Sequence, residues 1–325
     1  MHRRRLMHAA LIAAVIAGPV PAPATAQVGE QPIRIIFPFA AGGSGDALSR
    51  LIADRMRAAL NRPVIVENRT GAAGRIGVQA VKSAAPDGMT LLLTPIAPMA
   101  IFQHVYSSLE YDPFGDFEPL SQLGTFDFGV AVGAQVPART VGELMNWARS
   151  NPGNANYGIP AAGSLPHFLG VLLGRAAGLD LRHVAYRGSA AALADLVAGH
   201  IPIMVTTTSD LVQMHKAERI RIVATSDRTR SPFVPDVPTL REAGYDLEAT
   251  GWYGMFAPAK TPAELIARYS KLIVAAIDTP EVQSKLQDLG LHPTGTSPAA
   301  FAAIQRRDSQ FWAPAVKASG FTPQQ

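Results

Sequence analysis

Residues Pro32–Met56 read PIRIIFPFAAGGSGDALSRLIADRM, and this stretch decides the fold. The short β-branched run Ile33–Phe37 is a strand, Pro38–Asp46 is a glycine-rich turn, and Ala47–Leu60 carries a helical pattern. A strand, a glycine turn and a helix in that order place free backbone N–H groups and the positive end of a helix dipole at the carboxyl end of the strand. That arrangement suits an anion. Asp46 stands out because a carboxylate beside the helix start repels an anionic ligand. It reads either as an N-terminal partner of its own helix or as a group that orders water and accepts a hydrogen from the ligand.

Outward from this unit, apolar β-rich runs alternate with helical ones. Val64–Glu67, Thr90–Thr94, Gly129–Val132, His183–Tyr186, Ile201–Val205 and Arg221–Thr225 read as strands buried on both faces. Between them, Thr140–Glu143 and Thr261–Glu264 read as capping boxes, Ser189 opens a helix that stops at Gly199, and Gly290 follows another that begins near Thr279. The alternation predicts a parallel, doubly wound α/β architecture. No polar linker interrupts the chain, so two lobes joined by crossing strands are expected. The crossings fall at Gly124–Phe128 outward and Ala249–Tyr253 on the return. This gives a first lobe of 27–126 plus 251–325 and a second of 127–250.

The amino end, MHRRRLMHAALIAAVIAGPVPAPATAQ, has three arginines, an apolar run from Ala9 to Ala17 and Ala24-Thr25-Ala26 ahead of Gln27. It reads as a secretory signal peptide over 1–26, too short in its apolar part to span a bilayer. The 325 residues are 48% hydrophobic and 17% charged, with no cysteine, which excludes a disulfide framework, a thiolate metal site and a cysteine nucleophile. Of 29 basic residues the leader holds three, leaving 26 against 25 acidic ones, so the basic balance belongs to the leader. Nucleic acid is therefore not an expected partner.

Two more glycine-rich turns precede helices: Gly158–His167, with Ser164 at the cap, and Tyr186–Ala190. A single turn of this kind is ordinarily just a cap. Three of them at strand carboxyl ends, divided between two lobes, favour a shared cleft. Enzyme signatures do not form: Leu48 stands where a dinucleotide fingerprint needs a small residue, Asp46 where a hydrolase elbow needs glycine, and no Walker motif exists. His104, His167, His183, His200, His215 and His292 show no metal-ligand spacing, and neither metal nor cofactor is expected. His167 alone lies in a candidate turn, where hydrogen bonding outweighs proton transfer as its role.

Pro32–Met56 together with RPVIVENRTGAAGRIGVQAV (Arg62–Val81), APDGMTLLL (Ala85–Leu93), YGIPAAGSLPHF (Tyr157–Phe168), VAYRGSAAALADLVAGHI (Val184–Ile201) and DVPTLREAG (Asp236–Gly244), behind a signal peptide, resembles the tripartite tricarboxylate transporter substrate-binding family. These are the TctC-like or Bug extracytoplasmic solute receptors. The resemblance covers essentially the whole mature chain. It implies a two-lobe, type II periplasmic-binding-protein (Venus flytrap) α/β fold with a cleft between lobes, and a monomer in the periplasm. Such a receptor captures a small organic carboxylate and makes transient contact with membrane transporter subunits. It further implies that backbone amides and ordered water of the first turn hold the carboxylate, which maps onto Phe39, Ala40, Gly42, Gly43, Ser44 and Asp46. From the opposing lobe it maps Gly163, Ser164, His167, Tyr186, Gly188, Ser189 and Ala190, and from the segment Thr94–Met99 it brings Thr94 and Pro95.

Two departures from the family pattern bear on the ligand. Ile201-Pro202 replaces a common Val-Asp pair, and Thr94-Pro95-Ile96-Ala97-Pro98 is more apolar than the serine-rich stretch usual there. These favour a less polar, aromatic carboxylate, unless Ile96 and its neighbours turn into the core. The alternative function is an exported enzyme acting on a carboxylate through Ser164 or His167, for which no activated nucleophile, base and orienter assemble from the motifs.

Overall fold

The computed structural model describes residues 31–321, and the leader with its cleavage site lies outside them. Its elements run β1 (Ile33–Phe37), α1 (Ser44–Leu60), β2 (Val64–Asn68), α2 (Arg75–Lys82), β3 (Thr90–Pro95), α3 (Phe102–Val105), β4 (Phe117–Gly133), α4 (Val141–Ser150), β5 (Asn156–Ile159) and α5 (Leu165–Ala176). They continue β6 (Arg182–Ala185), α6 (Ser189–Ala198), β7 (Ile203–Thr207), α7 (Thr208–Lys216), β8 (Ile220–Thr225), β9 (Thr250–Pro258), α8 (Ala263–Ile277), α9 (Pro280–Asp288), β10 (His292–Pro293) and α10 (Pro298–Ser319).

The α/β class holds, but the sheet is parallel only toward its two ends. Strand order is β2-β1-β3-β9-β4-β7-β5-β6, with β8 and β10 also on β4. The β2-β1-β3 and β7-β5-β6 groups are parallel, while β9 and β4 run antiparallel to their neighbours. The 17-residue β4 links the groups, pairing with β9 over Phe117–Asp127 and with β7 and β8 over Phe128–Gly133. The two stretches expected to cross between lobes pair with each other, Gly124 with Tyr253 and Phe126 with Gly251.

β1, β3 and β7 are buried on both faces as their unbroken apolar runs require. β2 and β6 correct that expectation: only Val64 of β2 is buried and Arg182–Ala185 is exposed along its length, because each is an edge strand with one neighbour. Some helix ends follow local chemistry and others do not. Thr140 Oγ1 accepts from Glu143 N while Glu143 Oε2 accepts from Arg139 N, one residue outside the usual box. Gly199 and Gly290 end their helices at φ 81° and 72°. At α8 the predicted box is not made, since Thr261 Oγ1 donates back to Pro258 O and the cap falls on Pro262.

Candidate functional site

Four helices begin at one enclosed chamber. The turns Gly43/Ser44 ahead of α1, Ser164/Leu165 ahead of α5, Gly188/Ser189 ahead of α6 and Thr207/Thr208 ahead of α7 follow β1, β5, β6 and β7. Gly43, Ser164, Leu165, Gly188, Ser189 and Thr207 all face the chamber, which encloses about 60 Å³. Each helix start carries roughly half a positive charge from its aligned peptide dipoles, while Asp210 is the one charged side chain among the described residues lining the chamber. Thr206 and Asp210 also line the chamber, and the rest of its wall is largely apolar. Phe37 and Phe39 meet at 5.8 Å, Phe126 and Phe128 edge to face at 5.5 Å, and Tyr253 lies 4.7 Å from Phe126. Pro95, Ile96 and Ala97 close one side.

The three glycine turns read from the sequence are joined directly. Ala40 N donates to Arg187 O at 3.1 Å, and Gly188 N donates to Pro160 O at 3.0 Å. Gly188 adopts φ 130°, which a side chain would strain, and Ala40 N lies 3.4 Å from where its Cβ would be. Gly42 N and Ser44 N also have protein acceptors, Asp46 Oδ2 at 3.2 Å and Asp210 Oδ1 at 2.8 Å. So several amides expected to be bare are engaged by the protein itself.

Of the residues carried over by resemblance, Phe39, Ala40, Gly43, Pro95, Ser164, Gly188 and Ser189 line the chamber. Gly42, Ser44 and Ala190 lie instead along a neighbouring open groove. Asp46 braces the turn from behind. Its carboxylate takes Arg50 Nε and Nη2 at 3.1 and 3.0 Å, Asn68 Nδ2 at 3.0 Å and Gly42 N. Burial pushes its pKa up, but the hydrogen bonds from Arg50, Asn68 and Gly42 outweigh this and hold it below the usual carboxylate range. Thr94 is buried with its hydroxyl on Pro95 O, and Gly163 packs on Val105 and Phe102.

His167 turns away from the chamber. Its Nδ1 accepts from Gly163 N at 3.1 Å, and its ring packs against Phe168, His183 and Phe321. Burial, helped by neighbouring His183, pushes its pKa down to about 3, so the ring is neutral at pH 7. Tyr186 donates its hydroxyl to Asp195 at 2.7 Å, away from the chamber. Ser164 Oγ donates to Ala161 O at 2.7 Å, and α5 has no side-chain cap despite its serine. Among the described residues no group of His, Asp or Glu is placed to hold a metal.

Sequence reading missed the aromatic wall on β4 and β9, and Thr206, Thr207 and Asp210 around the start of α7. The Thr-Thr-Thr-Ser-Asp run, residues 206–210, was the available signal: hydroxyls and an acid at a strand-to-helix junction.

A sequence profile described as the tripartite tricarboxylate transporter family receptor matches residues 48–321. The chain belongs to this family. It is 32% identical over 284 residues to a Pseudomonas sp. (strain P51) protein described as lying in a tcbD–tcbE intergenic region, covering 87% of this chain and 84% of that one. In structure it is similar to the periplasmic binding protein BugD, with TM-score 0.86, 30% identity and coverage of 91% and 99%. It is also similar to R. palustris Rpa4515, solved with adipate, with TM-score 0.87, 28% identity and coverage of 90% and 98%. The family receptor therefore has the periplasmic-binding-protein fold, and no helix among its described residues is long and apolar enough to cross a membrane.

Proposed function

We propose that this family receptor captures one small organic carboxylate in the chamber, in the periplasm, and presents it as a monomer to membrane transporter subunits. The observation that carries the reading is the convergence of four helix starts on one aromatic-walled chamber. An anion entering it meets N–H groups without intrahelical acceptors and the hydroxyl of Ser189, while the rings exclude water and strengthen each of those bonds.

The two lobes of the proposal are 27–126 with 251–325, and 127–250, hinged where β4 and β9 pair near Asp127 and Thr250. The turns before α5, α6 and α7 then close on the turn before α1. A ligand shifts the open–closed balance only by its differential affinity for the closed form, and the closed form is what a transporter subunit would recognise. Turnover is not part of the reading, since His167 lies outside the chamber and Ser164 has no base on it.

The test is a melting-temperature panel of carboxylates. A true ligand at one hundred times its Kd should add about 2.7 kcal/mol of stability and be recovered unchanged. A panel in which nucleotides raise the melting point and no carboxylate does would overturn the reading.

A further inference from the structure

Asp210 stands at a partition between two cavities. It lines the enclosed chamber and also an open groove of about 330 Å³, and Gly43 and Ser189 do the same. At this partition Asp210 Oδ1 accepts from Ser44 N at 2.8 Å, and a Cβ on Gly43 would come within 2.9 Å of Ser189 Oγ and 3.5 Å of Asp210 Oδ1. Asp210 Oδ2 accepts from Thr207 Oγ1 at 2.7 Å and from Thr206 Oγ1 at 3.4 Å. The carboxylate accepts each of these bonds. Among the described residues that line the chamber, it is the only charged side chain.

The geometry points to Asp210 as a specificity-determining residue that restricts this receptor to monocarboxylates with an apolar body. The assignment rests on the carboxylate-capture reading above. Asp210 already satisfies the start of α1 at Ser44, so a ligand carboxylate is left the starts of α5 and α6, at Ser164 and Ser189. The rest of the ligand then lies among Phe37, Phe39, Phe126 and Tyr253. A second carboxylate has two destinations. Against the rings it is desolvated without partners, and toward the groove it meets the half-buried carboxylate of Asp210. Neither penalty falls on a monocarboxylate.

Matched pairs isolate the second carboxylate: hexanoate against adipate, and benzoate against terephthalate, titrated calorimetrically into the whole protein. The monocarboxylate of a pair should bind at least about tenfold more tightly, equal to about 1.4 kcal/mol. Asp210→Asn should shrink that ratio at least about fivefold, and Asp210→Glu, which keeps the charge, should preserve it. If Asp210→Asn loses its cooperative melt, Asp210→Ser makes the same neutral test. Equal affinities within the pairs, or a ratio unmoved by neutralising Asp210, overturns the assignment while leaving the receptor reading intact. If no carboxylate binds at all, the receptor reading fails and the assignment falls with it.

Discussion

Gly43 lines both the chamber and the neighbouring groove. Its backbone is extended, with φ −89°, so a side chain is conformationally allowed, but the added atoms enter the space shared with Ser189 and Asp210. Gly43→Val should therefore retain a cooperative melt close to the parent's and lose the carboxylate-induced rise in melting temperature. Retention of that rise would place the ligand elsewhere. His167 gives a second residue-scale expectation, in pH. Its folded pKa of about 3 lies below the unfolded value near 6.5, so between those values the unfolded chain binds the extra proton. Stability should then rise with pH across that window, with a slope approaching 1.4 kcal/mol per unit from this one group. Chemical denaturation of His167→Asn, which keeps an acceptor for Gly163 N, should show a flatter profile between about pH 3 and 6.5. Asp46 acts lower: its depressed pKa contributes stability above about pH 4 that is lost on further acidification.

At the scale of elements, β4 and β9 carry both the crossing between sheet groups and three of the chamber's rings, Phe126, Phe128 and Tyr253. Gly251 on β9 leaves room for them, since a Cβ there would sit 2.4 Å from Phe126 and 3.0 Å from Phe128. Gly251→Ala must displace the Phe126 ring or the backbone that carries it. We expect a loss of about 1–3 kcal/mol in stability by thermal melting together with weaker carboxylate binding, and unchanged binding would show that the rings do not form the wall. The same two strands mark where the sequence was hard to read. β1, β3 and β7 were legible because strands buried on both faces are continuous apolar runs. The first part of β4, FEPLSQLGTFDF, hides its strand character behind Pro119, Gly124 and polar residues, and the structure accommodates them with register shifts at Pro119/Ser121 and Gln122/Gly124. The glycine turns were legible because their local chemistry suffices to define them. Asp210 was not, because its partner Ser44 is 166 residues away and no local pattern encodes that meeting.

For the molecule as a whole, the links Ala40 N to Arg187 O and Gly188 N to Pro160 O tie together turns from three separate strands. Entry then has to wait for those ties to part. If those ties limit entry, the observed capture rate should level off as solute concentration rises, at a ceiling set by spontaneous opening, and apparent affinity should be reduced by the fraction of molecules open at any instant. Stopped-flow tryptophan fluorescence across a range of ligand concentrations would reveal the plateau, whereas a rate climbing linearly throughout would mean the door stands ajar.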